Sequence, residues 1–226
     1  MIDWKRNLNK YNFKTLPKTA LLTFNKNYLD KRTRIFSKKI KGLVGQNYLV
    51  NKSLLVCTDF GFGASATISL LEELRGLGVE NFIFIGFAGS LDSSISEGDI
   101  FIVNQAYTTT GWSVLYDSND IFGPNNSSWC SGLQSKLTFK ETICWSTDAP
   151  FRETPELISH FISKKATHVD MECAAIYAFA NFYQLNALCV IVSADTISST
   201  NWLPPSNLFE LHKVIVRVVQ SCIKLV

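Results

Sequence analysis

Two periods of apolar residues alternate along the chain, and the switches between them mark its elements. Residues 19–24 (TALLTF) and 53–58 (SLLVCT) are apolar runs of strand length. From Ala64 the period becomes helical: Ile68, Leu71 and Leu74 recur beside Glu72, Glu73 and Arg75, and Gly76 and Gly78 end the helix. Residues 81–87 (NFIFIGF) form a continuous apolar run that suits a strand covered on both faces. The turn Gly98-Asp99 leads into a strand over 100–106, and 142–147 predicts another. Thr154-Pro155-Glu156 then opens a helix, with Thr154 as N-cap and Pro155 at the first helical position. A short strand over 166–169, an Ala-rich helix over 172–183 and a buried strand over 187–193 (ALCVIVS) follow. Ser206 is expected to cap a final helix whose apolar stripe is Leu208, Leu211, Ile215, Val218, Cys222 and Leu225.

Strands that alternate with helices imply an α/β sandwich around a largely parallel sheet. The 226 residues suit one domain, residues 1–226, with the polar first 18 peripheral to it. Ligands in such folds sit at the carboxyl ends of strands. That narrows the search to 59–63, 86–90, 147–152, 170–172 and 194–196. The connection over 108–134 is polar and long enough to be functional or to hide a hairpin; it and Trp202 are candidates to cover a pocket or build an interface.

Composition adds limits. At 46% hydrophobic and 18% charged, the chain can bury a sizeable core, and a net charge of +3 gives no reason to expect nucleic acid or a membrane as partner. Six scattered cysteines without a Cys-x-x-Cys pair, and histidines only at 160, 168 and 212, lack the spacing of a structural zinc site. No apolar stretch approaches membrane-spanning length and no signal segment is visible, so the expectation is a cytoplasmic protein that takes up no cofactor.

Gly61-Phe62-Gly63-Ala64-Ser65-Ala66 fits a dinucleotide glycine pattern, whose backbone N–H groups cradle an anion. That pattern also calls for an acid roughly 20 residues later, and Ile85-Gly86-Phe87-Ala88 supplies none. Asp170-Met171-Glu172 stands at a strand-to-helix junction, where paired carboxylates complement the helix dipole. The small Cys173-Ala174-Ala175 behind them lets the helix sit close to the sheet and leaves room for a ligand. A carboxylate there can accept both hydrogen bonds of a vicinal diol. Asp195 ends a buried strand, where desolvation favours the protonated form of a carboxyl. Phe151 follows another strand and could stack on a base or pack in the core.

Taken in order, these segments resemble the nucleoside phosphorylase and methylthioadenosine/S-adenosylhomocysteine nucleosidase superfamily. Val169-Asp170-Met171-Glu172-Cys173-Ala174-Ala175 is similar to its V-E-M-E-A-A-A helix start, and 82–91 (FIFIGFAGSL) to its F-I-N-T-G-S-A-G-G-L stretch. Glu97-Gly98-Asp99-Ile100, the 61–74 helix, 146–151 and 192–195 match further motifs in the family's order. The resemblance implies a three-layer α/β/α sandwich with a twisted mixed sheet, a homo-oligomer, and cleavage of a nucleoside's N-glycosidic bond. It gives Glu172 and the Met171 backbone to the ribose diol. Asp195 becomes the group that protonates the departing base, with Phe151, Gly89 and Ala88 beside that base.

The departures lie at the nucleophile. Phosphorolytic members carry G-D-P-x-R where this chain has Thr23-Phe24-Asn25-Lys26, and R-x-G-T-x-G where it has Phe84 and Phe87. Hydrolytic members use a Glu near the N-terminus, which has no clear equivalent here, and the Ser before the catalytic Asp is Ala194. The expectation leans to phosphorolysis, with inorganic phosphate as co-substrate near Gly61, Gly86 and Lys26 and a neighbouring subunit adding basic residues. A hydrolytic nucleosidase and a non-catalytic nucleoside-binding protein stay open beside it.

Overall fold

A computed structural model describes residues 15–198 and 201–226. Most of the segment read as peripheral, residues 1–14, lies outside them, as do 199 and 200. The strands are β1 (Thr19–Thr23), β2 (Lys38–Ile40), β3 (Gln46–Leu49), β4 (Leu54–Thr58), β5 (Asn81–Ser90), β6 (Ile100–Thr108), β7 (Ile121–Phe122), β8 (Lys140–Ser146), β9 (His168–Asp170), β10 (Asn186–Ile197) and β11 (Trp202–Leu203). The helices are α1 (Lys31–Phe36), α2 (Gly63–Gly76), α3 (Ser128–Lys136), α4 (Pro155–Ser163), α5 (Cys173–Phe182) and α6 (Leu208–Leu225).

The strands form one mixed sheet whose parallel centre runs β4-β1-β5-β10. Beyond it β10 pairs with β6, β6 with β8, β8 with β9, and β9 returns to β5. These five strands therefore close on themselves, and β5 and β10 belong to both the open sheet and the closed ring.

Alternation along the central strands explains the layers. Ala20 and Leu22 of β1, Phe82 and Phe84 of β5, and Cys189 and Ile191 of β10 face α2 and α5. Their neighbours Leu21, Ile83, Ile85, Leu188 and Val190 face α3 and α6. Both sheet faces are covered, which is why these strands read as continuous apolar runs. The α/β sandwich with a mixed sheet expected from the sequence is the architecture observed.

Boundaries differ where tertiary pairing extends an element. β5 runs three residues past its apolar stretch because Gly89 and Ser90 pair with Val169 and His168 of β9. β10 runs on to Ile197 because β11 pairs with it. Asn207, not Ser206, caps α6: its side chain accepts from the Glu210 N–H, while Ser206 donates to Glu97. The 108–134 connection contains β7 and the start of α3, elements without the apolar period that would announce them.

Candidate active site

The junction after β9 separates its two carboxylates by function. Asp170 is fully engaged in holding the start of α5. Its Oδ2 accepts from the backbone N–H groups of Glu172 and Cys173 at 3.1 and 2.8 Å, and its Oδ1 accepts from the Ser146 hydroxyl. Ser146 in turn accepts from the N–H of Ala174 at 2.9 Å. The first N–H groups of α5 are thus satisfied by Asp170 and Ser146. Glu172 is left to do something else.

Glu172 is buried, and its Oε1 accepts from the backbone N–H of Gly63 at 2.6 Å. Gly63 is the first residue of α2 and has φ +81°, a conformation that favours glycine. The glycine pattern therefore presents a backbone N–H donor, and its acceptor is the protein's own Glu172 carboxyl oxygen. Burial first, then the neighbouring charge of Asp170, push the Glu172 carboxyl up to about 8, against the lowering effect of the Gly63 and Met171 N–H groups. Asp148 raises it further. Met171 is half-buried with its methyl end towards Gly63: a Cβ on Gly63 would stand 3.6 Å from Met171 Cε.

Asp195 is placed by an irregularity in β10. Ser193 is opposite Ala88 and Asp195 opposite Gly89, so Ala194 is the extra residue of a bulge. A bulge re-aims the side chains after it. Here it brings Asp195 Oδ1 within 3.2 Å of where a Gly89 Cβ would lie, and Ile197 Cδ1 within 2.7 Å of the same point. Gly89 is required by this close approach. Ala88 is buried beside it. The other oxygen of Asp195, Oδ2, accepts from the Trp202 indole N–H at 2.5 Å.

The strand ends of β1, β4 and β5 carry rings. Phe24 lies with its centroid 5.9 Å from Phe60, 5.3 Å from Phe62 and 5.5 Å from Phe84. Gly86 faces this cluster closely; a Cβ there would meet Phe84 at 2.8 Å and Phe24 at 3.2 Å. Gly61 makes the tight turn into α2, with φ +107°. Lys26 begins the turn after β1, and its backbone N–H donates to Asp59 Oδ1 at 3.4 Å. Phe87 sits apart from the cluster, edge-on to Tyr28 on the α6 side of the sheet.

The structure does not bring Phe151 into a packed wall. It lies on a short 3-10 turn, Pro150–Arg152, and is 100% exposed. Sequence reasoning also passed over Glu153, the next residue but one. It is half-buried, and its carboxyl is pushed up to about 7 by burial first and by the charge of Asp195 second. Its polar neighbours Arg152 and Thr154 gave no sign of that burial. The long connection is pinned beside the junction: the Gly111 N–H donates to Asp148 Oδ2 at 2.7 Å and the Trp112 indole to Ser65 Oγ at 2.6 Å. Farther along it the Tyr116 hydroxyl donates to Glu72, as does the Tyr183 hydroxyl at the end of α5.

A separate surface groove of about 550 Å³ lies between α1 and α6, lined among others by Asp30, Arg32, Phe36 and Lys224. It contains none of the strand-end carboxylates. Among the described residues no helix is long and apolar enough to cross a membrane, and no group of three His, Cys, Asp or Glu is placed to hold a metal ion.

Residues 41–225 match the phosphorylase superfamily. The chain is 24% identical over 166 residues to a purine nucleoside phosphorylase DeoD-type of Brevibacillus brevis, covering 70% of each chain. It is 23% identical over 164 residues to a protein of the same description from Clostridium perfringens, again covering 70% of each. An uncharacterized protein of Acanthamoeba polyphaga mimivirus is 24% identical over 144 residues, which is 62% of this chain and 58% of the viral one. With a match over residues 41–225, this chain belongs to the phosphorylase superfamily.

Proposed function

We propose that the protein cleaves the N-glycosidic bond of a nucleoside bound between Glu172 and Asp195. The observation that carries this reading is the freeing of Glu172. Asp170 takes over the helix-capping work, so a buried carboxylate with one oxygen on Gly63 remains for a ligand. A ribose diol satisfies such a carboxylate with two hydroxyl donors, and the Met171 backbone adds to the same grip. As the bond breaks, its electron pair leaves with the base and positive charge spreads over the sugar ring. Glu172 stabilises that charge and Asp195 delivers a proton to the base, each acting most strongly in the transition state. Ala88 and Gly89 shape the floor under the base.

Water is the attacking group this geometry favours. Phe84 and Phe24 crowd Gly86, Phe60 and Phe62 pack on Phe24, and rings offer an anion nothing in exchange for its hydration. The second reading is phosphorolysis, which the description of the bacterial relatives favours. It needs Lys26, or basic residues of another copy of the chain, to hold phosphate. We assign either reaction to the cytoplasm, and a homo-oligomer is the assembly that would bring basic residues of another copy to the phosphate.

One experiment tests both levels. The protein is incubated with purine and pyrimidine nucleosides, with and without phosphate, and the sugar product identified. Free pentose independent of phosphate supports hydrolysis, and pentose 1-phosphate supports phosphorolysis. Ligand-induced thermal stabilisation without any base release would leave only a nucleoside-binding role.

A further inference from the structure

One face of a hairpin makes the outer rim of the Asp195 site. β10 and β11 pair with Ile197 opposite Trp202 and Thr196 opposite Leu203. Successive residues of a strand point to opposite faces, so Asp195, Ile197 and Trp202 share one face, and Thr196 and Leu203 the other. Contacts fix the first face against the site. The Trp202 indole donates to Asp195 Oδ2 at 2.5 Å. Ile197 Cδ1 and Asp195 Oδ1 lie 2.7 and 3.2 Å from where a Gly89 Cβ would stand. The two apolar side chains differ in their cover. Ile197 is half-buried against the cluster of Leu91, Trp145 and Val169. Trp202 is 59% exposed although its N–H is bonded. Its polar edge is satisfied while its ring is still wetted, so an apolar group laid on that ring gains by displacing water.

The indole bond also changes what Asp195 can read. Oδ2 is taken by Trp202, and Oδ1, beside Gly89, is the oxygen left for a base. A purine carries N7 and its 6-position on one edge. With N7 turned to Oδ1, the 6-position falls on the Oδ2 side, where Trp202 already supplies the donor that an exocyclic amino group would offer. A bare 6-amino group gains little there. An apolar group attached to it covers the indole ring beside Ile197.

We propose that Trp202 and Ile197 form a subsite for an apolar substituent on the 6-position of a purine nucleoside, so that the protein selects such nucleosides over adenosine. This deepens the nucleoside-cleaving reading above and rests on it for the direction in which the base lies. The other face of the hairpin supplies the control. Leu203 is nearly as exposed as Trp202, at 56%, and by strand alternation points away from Asp195. Unspecific apolar adhesion would use both residues, whereas the subsite uses Trp202 and not Leu203.

The test measures binding of adenosine and of 6-benzylaminopurine riboside by calorimetry, and release of each base, for wild type, Trp202→Phe, Trp202→Ala and Leu203→Ala. Wild type is expected to bind the benzyl compound about five-fold tighter than adenosine. Trp202→Phe keeps a ring without the N–H and should retain most of that preference. Trp202→Ala should lose it, and Leu203→Ala should keep it in full. Each preference is a ratio within one protein, so a variant with slow turnover still reports it. Both residues are exposed, so the changes should leave the fold intact, which thermal unfolding checks. Equal binding of the two nucleosides by wild type, or a preference that survives Trp202→Ala, overturns the subsite. Release of both bases without preference sinks the subsite and leaves the cleaving reading standing; preferential binding without release of either base does the reverse.

Discussion

The Glu172 carboxylate and the Gly63 backbone N–H, 2.6 Å apart, join the first turns of α5 and α2 across 109 positions of sequence. The bond aligns two helix starts on one side of the sheet and fixes the rotamer of the buried acid. Gly63→Ala places a side chain at φ +81°, at a cost of about 1–2 kcal/mol. The added Cβ clears Met171 at 3.6 Å, so the strain is backbone strain and not a clash. We expect a Tm several degrees lower and a KM for nucleoside raised several-fold, with kcat falling less; steady-state kinetics and thermal unfolding check both.

Glu172→Gln separates stability from function. The folded carboxyl titrates at about 8, above its ordinary 4.5, chiefly because burial disfavours the charge. Its contribution to stability is fully present below pH 4.5 and is lost as pH rises through about 8. The neutral Gln carries no such loss. The variant is therefore expected to melt higher than wild type at pH 8, to differ little at pH 5, and to bind ribose at least ten-fold more weakly. A Tm difference that does not change with pH would contradict the assignment.

His168 acts in the opposite direction. It is buried with Nδ1 bonded to Thr142 and Thr167, and burial, opposed by Asp92 and Asp99, lowers it to about 4 from 6.5. Stability from its neutral form is present above pH 6.5 and is lost as pH falls through 4, at a full extent of about 3 kcal/mol. His168→Phe is expected to flatten the acid side of a Tm–pH curve without moving the alkaline side. Calorimetry from pH 4 to pH 8 reads both limbs.

Gly89→Ala tests the placement of Asp195. The new methyl would meet Ile197 Cδ1 at 2.7 Å and Asp195 Oδ1 at 3.2 Å. The tip of Ile197 can turn away, whereas the carboxylate is held from its other side by Trp202. A fold that still melts cooperatively, with kcat reduced at least ten-fold, is the expected outcome.

What could be read in the sequence was whatever depends on local pattern. Central strands buried on both faces announce themselves as apolar runs, and Thr154-Pro155 marks a helix start on its own. The positions of Glu172, at a strand-to-helix junction, and of Asp195, after such a run, were legible. Their division of labour with other residues was not. Nothing in Asp170-Met171-Glu172 says which carboxylate caps the helix; that depends on Ser146 reaching across from β8. Trp202 becomes a neighbour of Asp195 only through a two-residue strand that has no periodic signal. Phe151 illustrates the converse, an aromatic at a strand end that the fold leaves fully exposed.

The most direct test of the account is release of free base from a purine nucleoside by wild type and by Asp195→Asn under single-turnover conditions. The account predicts release by wild type, slowed at least a hundred-fold in the variant, with nucleoside binding little changed. Equal rates in the two proteins, or no release by wild type from any nucleoside, would contradict it.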